Sequence, residues 1–410
     1  MLRRCGGPGM RSPLAMIAAL GVTQIIGYGS LYYAFPIMAP AVAQEFGVSE
    51  PLLFGLLSAG LLLGGLAAPR LGGLLDRMGA PRVMAAGSLL MAGLSAALAL
   101  APSLPVYGAL LLLIELLSFT VLYDAAFATL AQRQPQDTRR AITRLTLIAG
   151  FASTLFWPLT GWLVDHLGWR GAQGIFAALH LGIAVPLHLA LAARPRRQAA
   201  PQPVVTPPLS LPPPLTGAAA RQAFVLLGLS FALTGMAISA LGVHLVPVLL
   251  ARGLGETAYL AAMVMGPAQV LIRLVDATLW RHLHPLQVAV VSAAAIPVAL
   301  ALLLVPGPAA LLAFAFALCF GAGQGLSSIV RGSVPVALFG VTGLGQRLGR
   351  LAAIRSVLGA SAPFLFAWAM AQLGAQAAIC AALAVALAGV LALVMLRRQI
   401  DRAGALSVSA

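Results

Sequence analysis

Long apolar runs alternate with short polar stretches along the whole chain. Each of the runs is long enough to cross the roughly 30 Å hydrocarbon core of a bilayer, for which about 20 residues are needed. Because the backbone in lipid must satisfy its own hydrogen bonds, each run is predicted to be a helix. The twelve predicted spans cover residues 14–40, 52–70, 82–101, 105–131, 143–165, 171–193, 222–250, 256–280, 286–305, 309–330, 350–371 and 376–396. The pattern predicts an all-α membrane protein.

A polar stretch divides the spans into two sets of six. Residues 194–215 contain three arginines and eight prolines, a composition that favours extended, flexible chain. Matches between the halves at offsets of 204 (Arg77 with Arg281) and 205 (Pro158 with Pro363) indicate two pseudo-symmetric six-helix bundles. The predicted domains are a first bundle, a cytoplasmic linker, a second bundle and a cytoplasmic tail, at residues 1–193, 194–221, 222–396 and 397–410.

The charge of the chain is concentrated in its loops. The net charge is +15, and all 25 basic residues are arginines. Twenty-one of them fall in the loops on one side, two (Arg170 and Arg252) on the other, and two (Arg273 and Arg355) inside spans. This asymmetry follows the positive-inside rule and predicts that both termini are cytoplasmic. The charge therefore orients the chain and does not indicate a nucleic-acid partner.

The most distinctive polar motif is the hinge at residues 72–82, GGLLDRMGAPR, between spans 2 and 3. Its glycines allow a sharp turn. Its spacing, G-x-x-x-D-R-x-G-x-x-R, resembles the corresponding loop of the major facilitator superfamily. The resemblance implies two six-helix bundles with a substrate site between them, and a gating role for Gly72, Asp76, Arg77, Gly79 and Arg82. Asp76 is then expected to meet the start of span 11, near Arg347 or Arg350, whereas Arg77 and Arg82 either complete a charge network or anchor the topology.

Three further fragments point to two different branches of that superfamily. Residues 150–162 partly resemble the glycine-proline motif of drug/proton antiporters, but Trp157 replaces the glycine before Pro158. Residues 161–170 and 244–254 resemble more closely the oxalate/formate, monocarboxylate and cyanate-type carriers. The resemblance therefore implies either a carrier for a small organic solute or an efflux pump.

Span 4 contains two carboxylates, Glu115 and Asp124. An ionisable group inside a span is costly and is a functional candidate. Nine residues at about 100° each place the two on opposite helix faces, so that both cannot line one cavity. Glu115 lies nearer the middle and is the better candidate proton carrier. Each residue either faces the cavity or makes a polar contact between helices.

Spans 8 and 11 contain the intramembrane arginines. Arg273 and Asp276 are three residues apart on one helix face and can pair. The resemblance implies that Arg273 meets a substrate anion, with Arg355 as a second cation, and two guanidinium groups in one cavity would favour a carboxylate. The alternatives are a structural Arg273–Asp276 bridge and an Arg355 side chain that extends to the inner surface.

Four uncharged or titratable residues complete the candidate site. Tyr28 and Tyr32 are four residues apart on one face of span 1 and either contact substrate or pack. His244, in the outer third of span 7, is either a ligand-binding or an interface histidine. Gln324 lies among Gly321, Gly323 and Gly325, a spacing that predicts close helix approach in span 10.

The sequence favours a secondary transporter over other classes. The chain has no lysine, so it lacks a G-x-x-x-x-G-K-[ST] nucleotide loop, and it shows no cluster of catalytic or metal-ligating residues. We predict no enzyme activity, cofactor or metal. The predicted partners are a small organic solute, for which the two intramembrane arginines favour an anion, protons and the lipid bilayer. The predicted protein is a monomer in a bacterial inner membrane, and the remaining alternatives are a drug efflux pump, a non-transporting receptor and a polytopic membrane enzyme.

Overall fold

The structure, a computed structural model, describes residues 12–193, 215–255, 257–306 and 309–402. Within these ranges the regular structure is entirely helical. Residues 194–214 of the predicted linker 194–221 lie outside the described residues, so their expected flexibility is untested. The last part of the predicted linker is wrong, because residues 217–221 already belong to the helix Gly217–Ala251. The prediction of an all-α membrane protein is confirmed.

The first half contains helices that are interrupted within the membrane. Span 1 consists of two α-helices joined by a π-helical segment, and span 4 of two α-helices separated by a short non-helical stretch. The elements of spans 1–6 are, in order, Pro13–Tyr28, Gly29–Tyr33 (π), Phe35–Phe46, Glu50–Leu74, Leu75–Gly79 (π), Ala80–Ala99, Leu104–Ser118, Tyr123–Arg133, Thr138–Ala149, Ala152–Leu179, His180–Ala184 (π) and Val185–Ala192.

In the second half each span is one α-helix. These helices are Gly217–Ala251, Thr257–Thr278, Pro285–Leu302, Ala309–Phe339, Leu344–Leu373 and Ala375–Arg402. Spans 7 and 11 begin at Gly217 and Leu344, several residues before the predicted starts at 222 and 350. Hydropathy identifies the part of a helix that meets lipid, whereas the helix itself continues until its hydrogen bonds are capped.

The described residues contain ten helical segments that are long and apolar enough to span a membrane. Two of them, Glu50–Ala99 and Thr138–Ala192, have 50 and 55 residues. A continuous helix of 50 residues would measure about 75 Å, more than twice the roughly 30 Å core, so each segment provides two spans. Gly79 (φ 89°) and Gly168 (φ 68°) interrupt them, in a region of backbone space that favours glycine. The twelve predicted spans are therefore present.

The described chain forms two compact units. One joins the residues through Leu57 with those from Leu74 to 193, and the other joins Ser58–Gly73 with those from 215 onward. The first unit has an aromatic core that includes Tyr107, Phe156 and Phe176, and the core of the second includes Phe316 and Phe320. Large apolar side chains also cover the exterior, and Leu100, Met263 and Phe364 are more than 70% exposed, as expected for contact with lipid tails.

Candidate functional site

The hinge is held by a residue that sequence reasoning missed. Asp76 lies half-buried in the π-helical segment Leu75–Gly79. The amide of Gln132, near the end of span 4, closes both ends of this segment. Its Nε2 donates to the Leu75 carbonyl (3.0 Å), and its Oε1 accepts from the Ala80 N–H (2.8 Å). Arg77 and Arg82 are exposed.

The predicted reason for the hinge glycines is correct for only one of them. Gly79 adopts φ 89°, but Gly72 and Gly73 both lie in regular helix. Gly72 instead serves close packing, because a Cβ placed on it would overlap the Gly345 carbonyl at the start of span 11. The same contact surface brings Gly65 against Ser356 and Gly349 against Ala68. Spans 2 and 11 thus touch through their backbones along this stretch.

Span 4 is not one regular helix. Its first helix ends at Ser118 and its second begins at Tyr123, with Leu122 in an extended conformation (φ −88°, ψ −168°). The prediction that Glu115 and Asp124 occupy opposite faces of one helix is therefore wrong. Glu115 is 4% exposed, on the buried face that also contains Leu111, and Asp124 is half-buried in the first turn of the second helix.

A glutamine of span 1 stabilises this break. Gln24 is fully buried, and its Nε2 donates to the Val121 carbonyl at 2.8 Å. A broken helix exposes carbonyl groups that lipid cannot satisfy, so a buried amide donor replaces the missing backbone partner. The Oε1 atom of Gln24 is buried without a hydrogen-bond partner within the described structure. A lone glutamine in an apolar run is the sequence signal that could have identified this contact.

The tyrosines of span 1 do not share one environment. Tyr28 is half-buried and packs on Tyr123, with ring centroids 4.6 Å apart. Tyr32 is 51% exposed and lies edge-on to Tyr33, which in turn meets Trp157 at 6.1 Å. The prediction of a common face assumed regular α-helical spacing, which the π-helical segment Gly29–Tyr33 interrupts.

Span 6 contributes two buried histidines that sequence reasoning overlooked. His180 and His188 are each 1% exposed. The Nε2 of His180 lies 2.9 Å from the Ser30 hydroxyl of span 1. His188 lies between Thr23 of span 1 and Ser88 of span 3, at 3.0 and 2.8 Å. The signal was available, because a histidine pair inside an otherwise apolar run requires polar partners.

Arg273 and Asp276 lie on the buried side of span 8, at 6% and 3% exposure. The Nε of Arg273 donates to the Gly325 carbonyl of span 10 at 3.2 Å. One turn earlier, the Gln269 amide donates to Gln324 Oε1 at 2.8 Å. This polar strip joins spans 8 and 10.

The predicted close approach of span 10 is confirmed. A Cβ on Gly321 would lie 2.8 Å from the Met265 carbonyl, and one on Gly325 would lie 2.8 Å from that of Gln269. Gly323 faces the other neighbour, since a Cβ there would lie 2.7 Å from the side chain of Ile296 in span 9. The three glycines therefore serve packing on two sides of the span.

Arg355 lies at the interface of spans 7 and 11. It is half-buried in the first half of the helix Leu344–Leu373, and its Cγ would lie 3.2 Å from a Cβ on Gly235, which is near the midpoint of span 7. Later in span 7, the ring of the half-buried His244 packs on that of Phe366, with ring centroids 5.4 Å apart. The Nδ1 atom of His244 lies 3.0 Å from the Ala240 carbonyl. The structure thus places the stem of Arg355 against the middle of span 7.

A cluster of polar contacts around Arg170 lies where spans 1 and 3 end and span 6 begins. Arg170 pairs with Glu45 at 2.7 Å and donates to the carbonyls of Ala99 and Ala101, each at 2.7 Å. The indole of Trp169 donates to the same carboxylate at 2.6 Å. One guanidinium thus joins span 1, the turn after span 3 and span 6, so the fragment Trp169-Arg170 has a structural explanation.

Within the described residues, no three His, Cys, Asp or Glu side chains are close enough to hold a metal ion. No curated protein sequence matches the chain significantly. The sequence profile described as Major Facilitator Superfamily matches residues 20–330. The crystal structure of the human organic anion transporter MFSD10 (TETRAN) matches with a TM-score of 0.72 at 18% sequence identity, covering 95% of this chain and 100% of that one. At this identity the likeness shows a shared fold alone.

Proposed function

Because the chain belongs to the major facilitator superfamily, we propose that it is a secondary transporter that moves a small organic anion across a bacterial inner membrane, coupled to protons or by exchange. Superfamily membership supports transport across a membrane. The placement of Arg355 supports an anionic substrate. The arginine asymmetry of the loops supports an orientation with both termini in the cytoplasm.

Arg355 is the residue to which we assign anion binding. An arginine near a helix end can extend its head group to the membrane surface. The stem of Arg355 instead lies against Gly235, near the midpoint of span 7, where the absence of a Cβ leaves room for it. This packing favours a guanidinium at mid-membrane depth. A guanidinium there can bind a carboxylate through two parallel hydrogen bonds.

We assign Arg273 as the second cation that binds the anion. Its Nε holds the Gly325 carbonyl, and its burial among spans 8 and 10 means that an anion could reach it only if these spans move. An anion that competes with Asp276 for the guanidinium would couple binding to that movement. Glu115, buried in span 4, is the carboxylate to which we assign proton transfer.

Counterflow in proteoliposomes tests the substrate class. The panel contains small carboxylates, amphipathic cations and neutral metabolites. We expect exchange of a carboxylate, and we expect Arg355→Gln to reduce it by roughly 10- to 100-fold, since a charge-assisted hydrogen bond contributes about 1.5–3 kcal/mol. Arg252→Gln, in the loop after span 7, is the matched control. Exchange of a cation or neutral solute that is unaffected by Arg355→Gln would refute the anion proposal.

A second pair of variants separates binding from folding at Arg273. Arg273→Gln should abolish anion exchange while the protein remains folded in the membrane. If Arg273→Gln misfolds, and the double variant with Asp276→Asn restores both folding and exchange, then the two residues form a structural pair. The role of Arg273 in binding would then be excluded.

Export of an amphipathic cation is the second candidate function. Trp157 is 56% exposed and packs with Tyr33, and such aromatic faces attract organic cations. The half-buried carboxylate of Asp124 could neutralise the charge. Under this alternative the same panel would show exchange of a cation, and Asp124→Asn would reduce it.

A further inference from the structure

His188 bridges three spans within the first unit. Its ring lies in the helix Val185–Ala192 of span 6, between the hydroxyl groups of Thr23 in span 1 and Ser88 in span 3. The Nε2 atom is 3.0 Å from Thr23 Oγ1, and the Nδ1 atom is 2.8 Å from Ser88 Oγ. Both ring nitrogens therefore have an oxygen partner in a buried environment.

The hydrogen bonds of the two hydroxyl groups assign the tautomer of the ring. Thr23 donates its single hydroxyl proton to the Leu20 carbonyl at 3.0 Å, so its oxygen can only accept from His188. The Nε2 atom of His188 consequently carries a proton. In the uncharged ring Nδ1 is then bare and accepts from the Ser88 hydroxyl.

This arrangement can accept one further proton at Nδ1. A serine hydroxyl acts as donor or acceptor by rotation, so Ser88 can turn its lone pair toward a protonated Nδ1. Both N–H groups of an imidazolium would thus find oxygen acceptors without movement of a helix. We propose that His188 is a proton-binding site, and that it takes part in coupling the transport proposed above, on which this coupling role rests.

His180 shows what such a site requires. Ser30 donates its hydroxyl proton to the Ile26 carbonyl at 2.7 Å, so its oxygen accepts from Nε2 of His180, as Thr23 does from His188. However, Nδ1 of His180 is buried without a hydrogen-bond partner within the described residues. A proton added there would have no acceptor. His180 therefore remains in one tautomer and is the natural control for His188, being equally buried and in the same span.

Within the described residues, the two helices whose side chains contact the His188 ring, Pro13–Tyr28 and Ala80–Ala99, contain no carboxylate. Span 1 carries no charged side chain between Pro13 and Tyr28, and span 3 carries only Arg82, in its first turn. Five other sites on the neighbouring elements carry titratable or charged groups. They are Tyr28, whose ring packs on Tyr123, His180, Arg82, the helix Tyr123–Arg133 with Asp124 and with Arg133, which donates to the Leu191 carbonyl, and the Glu45–Arg170 pair at the far end of span 6. Binding a proton therefore adds a net charge to the bundle. A conformation that hydrates this charge would be favoured, which is the property a coupling site needs.

Nitrogen-15 NMR of labelled histidines in lipid nanodiscs tests the site without any transported solute. The chain has six histidines, and His180→Gln and His188→Gln assign the two resonances of interest. As the pH is lowered, we expect His188 to change from the Nε2–H tautomer to the doubly protonated form while His180 stays neutral. Ser88→Ala should weaken proton binding by His188 about tenfold, because the hydrogen bond lost from the charged ring is stronger than the one lost from the neutral ring. The proposal is overturned if His188 keeps one tautomer across the pH range in which the protein stays folded, or if His180 titrates in parallel.

A transport measurement then tests coupling separately. With a solute identified by counterflow, a pH gradient should drive its accumulation in wild type and in His180→Gln, but not in His188→Gln. Accumulation by His188→Gln would exclude the coupling role. If no solute is exchanged at all, the proposed function fails, and the NMR titration still decides whether His188 binds a proton.

Discussion

Gly72 of span 2 lies directly against the backbone carbonyl of Gly345 in the first turn of span 11. Only glycine fits at this position, because a Cβ would overlap the carbonyl oxygen. The neighbouring contacts of Gly65 with Ser356 and of Gly349 with Ala68 extend the same interface. Small residues allow helix backbones to touch in a membrane, where dispersion and not apolar burial drives association.

We expect Gly72→Ala to open this interface. The added methyl group forces spans 2 and 11 apart, so a cysteine placed in the first turn of span 11 should react faster with a membrane-impermeant maleimide. Gly73→Ala is the matched control, because a Cβ on the adjacent Gly73 would meet no atom within 4 Å. Equal labelling of the two variants would show that the contact does not restrict access.

Asp76→Asn should act in the same direction. Asp76 is the single acidic residue of a hinge that also contains Arg77 and Arg82. Removing its charge should destabilise the conformation in which spans 2 and 11 are in contact by about 1–3 kcal/mol. Labelling in the same assay should therefore increase. Asp137→Asn, whose exposed carboxylate pairs with Arg140, is the control for loss of a loop charge. Unchanged labelling and transport in Asp76→Asn would refute a gating role.

The hinge shows what a single sequence can and cannot predict. Its position between two apolar runs follows from hydropathy, and Gly79 follows from the need for a turn. The role of Gly72 does not, because it depends on a residue more than 270 positions away in the chain. The amide bridge from Gln132 depends equally on tertiary contact.

Arg170→Gln should destabilise the first unit. The variant removes an ion pair and leaves the Ala99 and Ala101 carbonyls without their donor. The pair is partly solvent-exposed, so we expect a loss of only about 1–2 kcal/mol, seen as a lower melting temperature in detergent. Arg252→Gln, at the end of span 7, should melt like wild type. A melting temperature unchanged in Arg170→Gln would show that solvent replaces all three partners.

Gly235→Val should impair the proposed anion site without changing Arg355 itself. The new side chain would occupy the space of the Arg355 stem, whose Cγ would lie 3.2 Å from even a Cβ on Gly235. We expect anion counterflow to fall about tenfold, since the guanidinium is displaced from its bound geometry. Gly242→Val, in the same helix with no atom within 4 Å of its Cβ, should keep full exchange. Equal exchange by the two variants would show that transport does not depend on the packing of Arg355 against Gly235.

Charged residues predicted the candidate site, whereas its uncharged polar contacts were not identified from the sequence. Glu115, Arg273 and Arg355 stand out in an apolar sequence because a charge in a span needs a reason. His180, His188 and Gln24 were less conspicuous, and their roles depend on hydroxyl and carbonyl partners supplied by other spans. The break in span 4 was invisible to hydropathy, because residues 119–122 are as apolar as the helices beside them.

Gln24→Met tests whether the break in span 4 depends on its amide. Methionine keeps a similar length and flexibility but removes the donor, so the buried Val121 carbonyl loses its 2.8 Å partner. Leaving one buried acceptor unsatisfied costs about 1–3 kcal/mol. We expect faster hydrogen–deuterium exchange across residues 119–126 and a lower melting temperature. Ser118→Ala is the control, because that hydroxyl donates only to the Glu115 carbonyl of its own helix. If the exchange rate of this segment is the same in Gln24→Met and wild type, then the break is maintained by the packing of spans 3 and 4 alone, and the Gln24 hydrogen bond is a consequence of the broken helix and not its support.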